Sequence, residues 1–358
     1  MKRLPFRYLE PVPYAGLLDD PLLLVRVRPS GESLLFDCGQ LHHLAKRTLK
    51  GIRAVFVSHA HMDHFMGLDT LIRHNHVSPK TIEIFGPPGI AGKVAAKLAG
   101  YDWNLTEPYW CTLLVHEVHA DRLISFRFPG SEGFPALPHG EVPRRERTIY
   151  RNEFLQVEGE LLDHKLPVLA CRISERESFL VDTAKIATEG LLPGEWLRIL
   201  KKRFYAGELA APLRVLTPDG EAEVADAGKL FDRIRLAHTP STIGYLTDIG
   251  LSPENLAKAE SLLTGVTLLA CECSFLAADE EKARLSRHLC TSDLNLLLER
   301  LKPAFILPLH LSKSYIHRWD AVYQELVLPK GTRLIRLPPH VTPRPLLPCE
   351  MPRLAESD

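Results

Sequence analysis

"VFVSHAHMDHFMG" spans residues 55 to 67 and places three histidines and one aspartate within six positions, directly after an apolar run that reads as a buried strand. His59 and His61 are two apart, so in an extended segment their rings point to the same side and can share one metal ion. Asp63 and His64 follow as the chain turns into a helix-like stretch, where they can reach a second ion beside the first. Neutral imidazole and carboxylate oxygen are the donors that a zinc-like ion takes, at about 2.0 to 2.2 Å. A chance surface cluster is a poor account of four ligand-type residues in six positions at a strand's end.

Around this stretch the first half alternates strand-like runs (22 to 27, 33 to 37, 53 to 58, 81 to 86) with helix-like ones such as "FMGLDTLIRH" and "GIAGKVAAKLAG". A second set of strands is expected in "EFLQVEG", "LPVLACRI", "SFLVD", "STIGYLTD", "VTLLACE" and "PAFILPL", with helices near 253 to 264, 279 to 301 and 315 to 326. The pattern predicts an α/β fold with two sheets covered by helices. We expect one domain over 1–340, carrying a loop-rich insert near 101–150, whose Pro/Gly-rich 128 to 147 reads as loop, and a short helical arm near 187–209. A proline-rich tail, 341–358, is expected to wrap the surface or fray.

Bulk properties narrow the function. Lys plus Arg and Asp plus Glu both number 44, so there is no global electrostatic footprint for nucleic acid or an anionic membrane, and any polyanion site must be local. The seven cysteines (38, 111, 171, 271, 273, 290, 349) are odd in number and lack a CxxC pair, which suits reduced, buried thiols in a cytoplasmic protein. No apolar run is long enough to span a membrane, and the basic N-terminus lacks the apolar core of a signal peptide. "HEVH" at 116 to 119 has its histidines three apart in a strand-like run, not four apart on a helix as a zincin needs. "GPPGIAG" at 86 to 92 lacks the Lys-Ser/Thr of a phosphate loop and reads as a turn, and His42, His43, His74 and His76 are expected at the surface.

The HxHxDH string resembles the signature of the metallo-β-lactamase superfamily, whose αββα sandwich has two mixed sheets flanked by helices. That resemblance implies further ligands in a set order at strand ends, and His164, Asp248 and His310 stand at such positions. By it, His59, His61 and His164 would hold one divalent ion, Asp63, His64 and His310 the other, and Asp248 would bridge them. Zinc is the expected metal, with manganese and iron as the other choices. Within the superfamily the second half is most similar to ribonuclease Z, which trims the 3′ trailer from precursor tRNA. "ACECSF" with Glu272, "RHLCT" with His288 and "DHKLPVLACRI" resemble that family's motifs, and "LLPGEWLRILKK" resembles the base of its tRNA-gripping arm. The resemblance covers roughly residues 30 to 320.

It implies a metal-dependent phosphodiesterase in which a metal-bridging hydroxide attacks phosphorus, Asp63 orients it or takes its proton, and His288, held by Glu272, protonates the leaving 3′-oxygen. Lys201, Lys202 and Arg203 would bind substrate phosphates, as could Arg144, Arg145, Arg147 and Arg151. It also implies a homodimer. The chain departs from the family in three places: "PVPYAGLLDD" replaces a small-residue segment, Thr247-Asp248-Ile249 replaces Gly-Asp-Thr, and Leu and Cys follow His288. Two other readings therefore stay open: a hydrolase of the same fold acting on a small phosphodiester, sulfate ester or lactone, and a non-catalytic RNA-binding relative.

Overall fold

A computed structural model describes residues 4–236 and 239–341. The described residues divide into two compact units, one comprising 4–150, 156–174 and 242–341, the other 151–155, 175–236 and 239–241.

The first unit contains two large mixed sheets. The first runs β1 (Leu9–Pro13), β2 (Leu23–Val27), β3 (Ser33–Phe36), β4 (Ile52–Phe56), β5 (Thr81–Gly86), β6 (Thr112–Val118), β7 (Arg122–Pro129) and β8 (Leu137–Pro143), in sequence order. Its centre, β3 to β6, is parallel, and both flanks are antiparallel. The second sheet takes in β9 (Thr148–Arg151), β10 (Leu155–Asp163) and β11 (Pro167–Glu175). After a hairpin of the other unit, β12 (Leu213–Thr217) and β13 (Gly220–Val224), it continues with β14 (Thr242–Leu246), β15 (Leu268–Glu272), β16 (Phe305–Leu309) and β17 (Arg333–Leu334). Strands β14 to β17 are parallel, and β11 joins β14 antiparallel.

The side-chain alternation of the central strands explains the two layers. Leu35, Val55 and Ile84 pack with Leu68, Leu71 and Val94 of the covering helices in one apolar cluster. Their neighbours Phe36, Phe56 and Phe85 project the other way and stack, with centroids 4.8 and 5.0 Å apart, and Tyr245 of the second sheet tilts onto Phe36 at 5.7 Å. Strands covered on both faces need continuous apolar runs, and this is why β4 reads "IRAVF". Burying each phenylalanine contributes about 1.5 to 3 kcal/mol.

Several expectations need correction. Residues 128 to 147 are not a loop: β8 occupies Leu137–Pro143, because pairing with β7 satisfies a backbone whose Pro/Gly content alone suggests turns. Half of the insert near 101–150 is strand, the rest turn and loop. "SFLVD" forms only an isolated bridge, Val181 to Arg235. The helix expected over 279 to 301 breaks into Glu280–Ser286 and Thr291–Leu301, with Arg287 left-handed at φ 59°. The helix near 315 to 326 shrinks to Ala321–Glu325. His43, His74 and His76 are half-buried, and His43 Nε2 lies 2.7 Å from the Tyr14 carbonyl. The tail expectation falls on residues outside the described ones except at Val341.

The second unit has its own apolar cluster, in which Trp196 and Leu200 of the helix Glu195–Ala206 meet Val215, Leu230 and Phe231. The arm expected near 187–209 is thus one helix of a larger unit.

Candidate metal centre

The predicted ligands and their neighbours gather at and just beyond strand ends, except that Asp63 and His64 lie on the short helix Met62–Phe65, with His61 at its start. Asp37 follows β3, Ser58 and His59 follow β4, Asp248 follows β14, Glu272 ends β15 and His310 follows β16. His164 sits in the tight turn between β10 and β11, where Lys165 is left-handed. The carboxyl ends of parallel strands are where open α/β sheets gather their functional groups.

Donor atoms of His59, His61, His164 and Asp248 lie within 4.8 Å of one another, as do those of Asp63, His64 and His310. Asp248 connects the two groups. Its Oδ2 is 3.5 Å from His59 Nε2, 3.2 Å from His64 Nε2 and 4.0 Å from His164 Nε2, and its Oδ1 is 2.9 Å from His310 Nδ1. Asp63 Oδ2 is 3.1 Å from His310 Nε2. A third group, Asp248, Glu272, His288 and His310, is equally tight. In it Glu272 is already taken: its Oε2 accepts from Ser274 Oγ at 2.7 Å and meets His288 Nδ1 at 3.0 Å, and its Oε1 accepts from Ile249 N at 2.7 Å.

The donors fit divalent ions on two grounds. His59 Nε2, His64 Nε2 and His310 Nδ1 are buried without a hydrogen-bond partner among the described residues, although Asp248 is close. Close approach without hydrogen-bond alignment is what donors aimed at a common point produce. The second ground is charge. Burial pushes His59 down to about 2, and neighbouring His64 adds to this, so its ring is the neutral form a metal ligand requires. Burial pulls His310 down too, but Asp248 and Asp63 outweigh it and raise the ring to about 10. Burial likewise favours neutral Asp63, and the His310 hydrogen bond with the His64 ring overcomes it, holding the carboxyl below the usual carboxylate range. The carboxylates therefore draw positive charge inward, which protons or a divalent cation can supply.

Asp37 is a residue that sequence reasoning missed. Fully buried, its Oδ2 meets His64 Nδ1 at 2.8 Å and accepts from Ser58 Oγ at 2.9 Å and Tyr245 Oη at 2.8 Å, while Oδ1 accepts from Ser58 N at 2.7 Å. It fixes the imidazole so that Nε2 faces Asp248, the supporting role that orients metal ligands. His164 is fixed in the same way by the Arg287 carbonyl, 2.7 Å from its Nδ1. The only sequence signal for Asp37 was an acid ending "SLLFD".

Asp37, Asp248 and His310 have φ of 56°, 48° and 61°, a left-handed backbone that Asp and His tolerate better than most residues. Close packing holds the loops there: a Cβ on Gly39 would lie 2.0 Å from the Asp63 carbonyl oxygen. The ligands open onto a cleft of about 420 Å³ lined by His61, Asp63, Asp248, His288, His310 and Lys313, among others.

Arg144 and Arg147 serve the fold, whereas Arg145 is exposed. Arg144 donates to the carbonyls of His119 and Gly159, and Arg147 pairs with Glu160 at 2.9 Å and reaches Ser261. Lys201 and Lys202 are exposed on the second unit's helix, but Arg203 donates to the carbonyls of Ala211 and Pro212. His116 and His119 flank the buried Glu117 on and after β6 and join no ligand group among the described residues.

The two mixed sheets and the donor set at their strand ends define a hydrolase of the metallo-β-lactamase fold that works with divalent metal ions. Residues 33–153 match the beta-lactamase superfamily domain. A metallo-beta-lactamase fold protein from Bacillus subtilis shares the fold, with a TM-score of 0.52 at 12% identity over 92% of this chain and 96% of that one. The short form of human tRNase Z does so with a TM-score of 0.50 at 18% identity over 92% and 99%. Ribonuclease Z of Deinococcus radiodurans is 32% identical over 288 residues, 79% of this chain and 83% of the relative, and that of Prochlorococcus marinus strain MIT 9312 is 26% identical over 82% of each. The chain belongs to the ribonuclease Z family.

Proposed function

We propose that this protein is a metal-dependent endoribonuclease that removes the 3′ trailer of precursor tRNA. The observation that carries the reading is Glu272 holding His288 on the cleft wall beside the ligand cluster, which adds a proton donor for a leaving sugar oxygen. The likeness to proteins named ribonuclease Z supplies the substrate.

In this reading His59, His61 and His164 would hold one divalent ion and Asp63, His64 and His310 another, with Asp248 within reach of both groups. Bound there, divalent ions act as Lewis acids on phosphoryl oxygens and make water a usable nucleophile near neutral pH. Asp63, whose side chain is 40% exposed, orients the attacking water and accepts its proton. As the P–O3′ bond breaks, His288 delivers a proton from Nε2 to the 3′-oxygen, because its Nδ1 is occupied by Glu272. The products are a 3′-hydroxyl on the tRNA and a 5′-phosphate on the trailer. Ser274 steadies the pair by donating to Glu272 and lying 3.3 Å from His288 Nδ1.

We further place zinc at both sites, a homodimer as the working form and the cytoplasm as its compartment. The six described cysteines are buried and free, which suits that compartment, and no helix among the described residues is long and apolar enough to cross a membrane. Lys201 and Lys202 are assigned to tRNA phosphates, which predicts a shallower salt dependence of tRNA binding when both are replaced by alanine.

The test incubates metal-loaded protein with precursor tRNA and, separately, with bis(p-nitrophenyl) phosphate, each beside a His61→Ala variant. Cleavage at the trailer junction that the variant loses supports the reading. Turnover of the small ester without RNA cleavage would replace it with a small-substrate hydrolase, and no metal-dependent turnover of either would remove catalysis altogether.

A further inference from the structure

Beside the ligands, the cleft wall carries Asp19 and Asp20 from the segment before β2 and Lys313 from the turn after His310. Lys313 bears the sole Lys or Arg side chain among the described residues lining this cleft. The two acids differ in what they do. Asp19 is built into the fold: Oδ2 accepts from Gly16 N and Val341 N, both at 2.7 Å, and Oδ1 meets His340 Nδ1 at 2.8 Å. Asp20 is nearly as buried, at 8% exposure, yet its carboxylate faces Lys313 Nζ at 3.4 Å.

Lys313 stands on a fixed base. Leu311 N donates to the Leu17 carbonyl at 2.8 Å, Ser312 N donates to the Ser274 carbonyl at 3.0 Å, and Tyr315 closes the turn from a buried position. Its side chain is 70% exposed. A four-carbon stem on a rigid turn is free to move its ammonium across the cleft, and an ion pair with one partner in solvent is weak enough to exchange. RNA entering here passes the buried carboxylate of Asp20, and Lys313 is the Lys or Arg side chain on the wall that its backbone can meet as it runs past the ligands.

We propose that Lys313 grips the phosphate next to the one being cut, and that Asp20 holds its ammonium at the cleft until RNA displaces the carboxylate. Lys313 is a positioning residue in this scheme, and the assignment rests on the endoribonuclease reading above. The chemistry recognised is a single-stranded phosphodiester backbone, read without regard to base.

The experiment measures binding of a short fluorescent single-stranded oligoribonucleotide with phosphorothioate linkages to the metal-loaded full chain across a salt series. Loss of one phosphate contact in Lys313→Ala should make the slope of log affinity against log salt shallower by about 0.7. Lys313→Arg should keep the wild-type slope, and Asp20→Asn should tighten binding several-fold. An unchanged slope in Lys313→Ala, or the same loss in Lys313→Arg, overturns the phosphate contact. Failure of Asp20→Asn to tighten binding overturns the holding role. Cleavage of precursor tRNA by the wild type is read separately: a Lys313-dependent slope without cleavage sinks the endoribonuclease reading and leaves the contact standing, and cleavage with a Lys313-independent slope sinks the contact alone.

Discussion

Asp37 and Glu272 are the same device used twice. Both carboxylates are fully buried, both stand at the end of a central strand, one in each sheet, and both hold one histidine by its Nδ1. The difference lies in what the other ring nitrogen meets. His64 is fully buried and its Nε2 points toward Asp248, whereas the His288 side chain is 18% exposed and lines the cleft. In the proposed mechanism a buried carboxylate thus prepares an imidazole to hold a cation in one half and to meet substrate in the other, and local exposure decides which.

The largest expected effect breaks the second half. His288→Ala should lower cleavage of RNA by about 10² to 10⁴-fold, the range for a lost proton donor. It should cost far less with bis(p-nitrophenyl) phosphate, whose leaving group needs no proton, and metal content measured by plasma mass spectrometry should be preserved. Equal losses on both substrates would mean His288 does not donate that proton. Next comes the first half: Asp37→Ala should weaken metal affinity by about 10 to 100-fold and slow both substrates alike. Excess metal should recover much of that activity, and an Asp37→Ala protein with normal metal affinity would contradict the pairing.

Glu272→Gln sharpens the contrast with a smaller change. Removing the charge behind His288 while keeping a hydrogen-bonding group should slow RNA cleavage about tenfold at full metal occupancy. A drop in bound metal instead would place Glu272 with the ligands, as its proximity to Asp248 and His310 allows. Smallest is Tyr245→Phe, which removes one of four hydrogen bonds to Asp37 and should lower unfolding stability by about 1 kcal/mol, read by denaturant titration. No change would show that Ser58 and His64 satisfy the carboxylate unaided.

How much of this was legible in the sequence follows the same division. His59, His61, Asp63 and His64 announce themselves because one short stretch, the loop after β4 and the helix it enters, presents them together. Asp248 and His310 are separated from that loop by long stretches of chain and gained meaning only from their order and from the family resemblance. Asp37 had neither a neighbour nor a motif to mark it, since its partners come from two distant segments, Ser58 and His64 from the stretch after β4 and Tyr245 from β14. Composition misled where pairing decides: the Pro/Gly content of 128 to 147 suggested a loop, yet β7 supplies the partner that makes Leu137–Pro143 a strand. In the second unit, the hairpin of β12 and β13 was missed because "GEAEV" carries exposed acids where a strand signal needs apolar alternation.

The left-handed backbone at Asp37, Asp248 and His310 has a consequence for heat resistance. Such conformations cost on the order of 1 kcal/mol or more each outside glycine, and here all three lie among groups that also crowd like charges together. A cation bound at a hundred times its dissociation constant adds about 2.7 kcal/mol to folding stability. The thermal midpoint of this protein should therefore rise and fall with metal supply, which makes ion scarcity a threat to the fold's durability as well as to its catalysis.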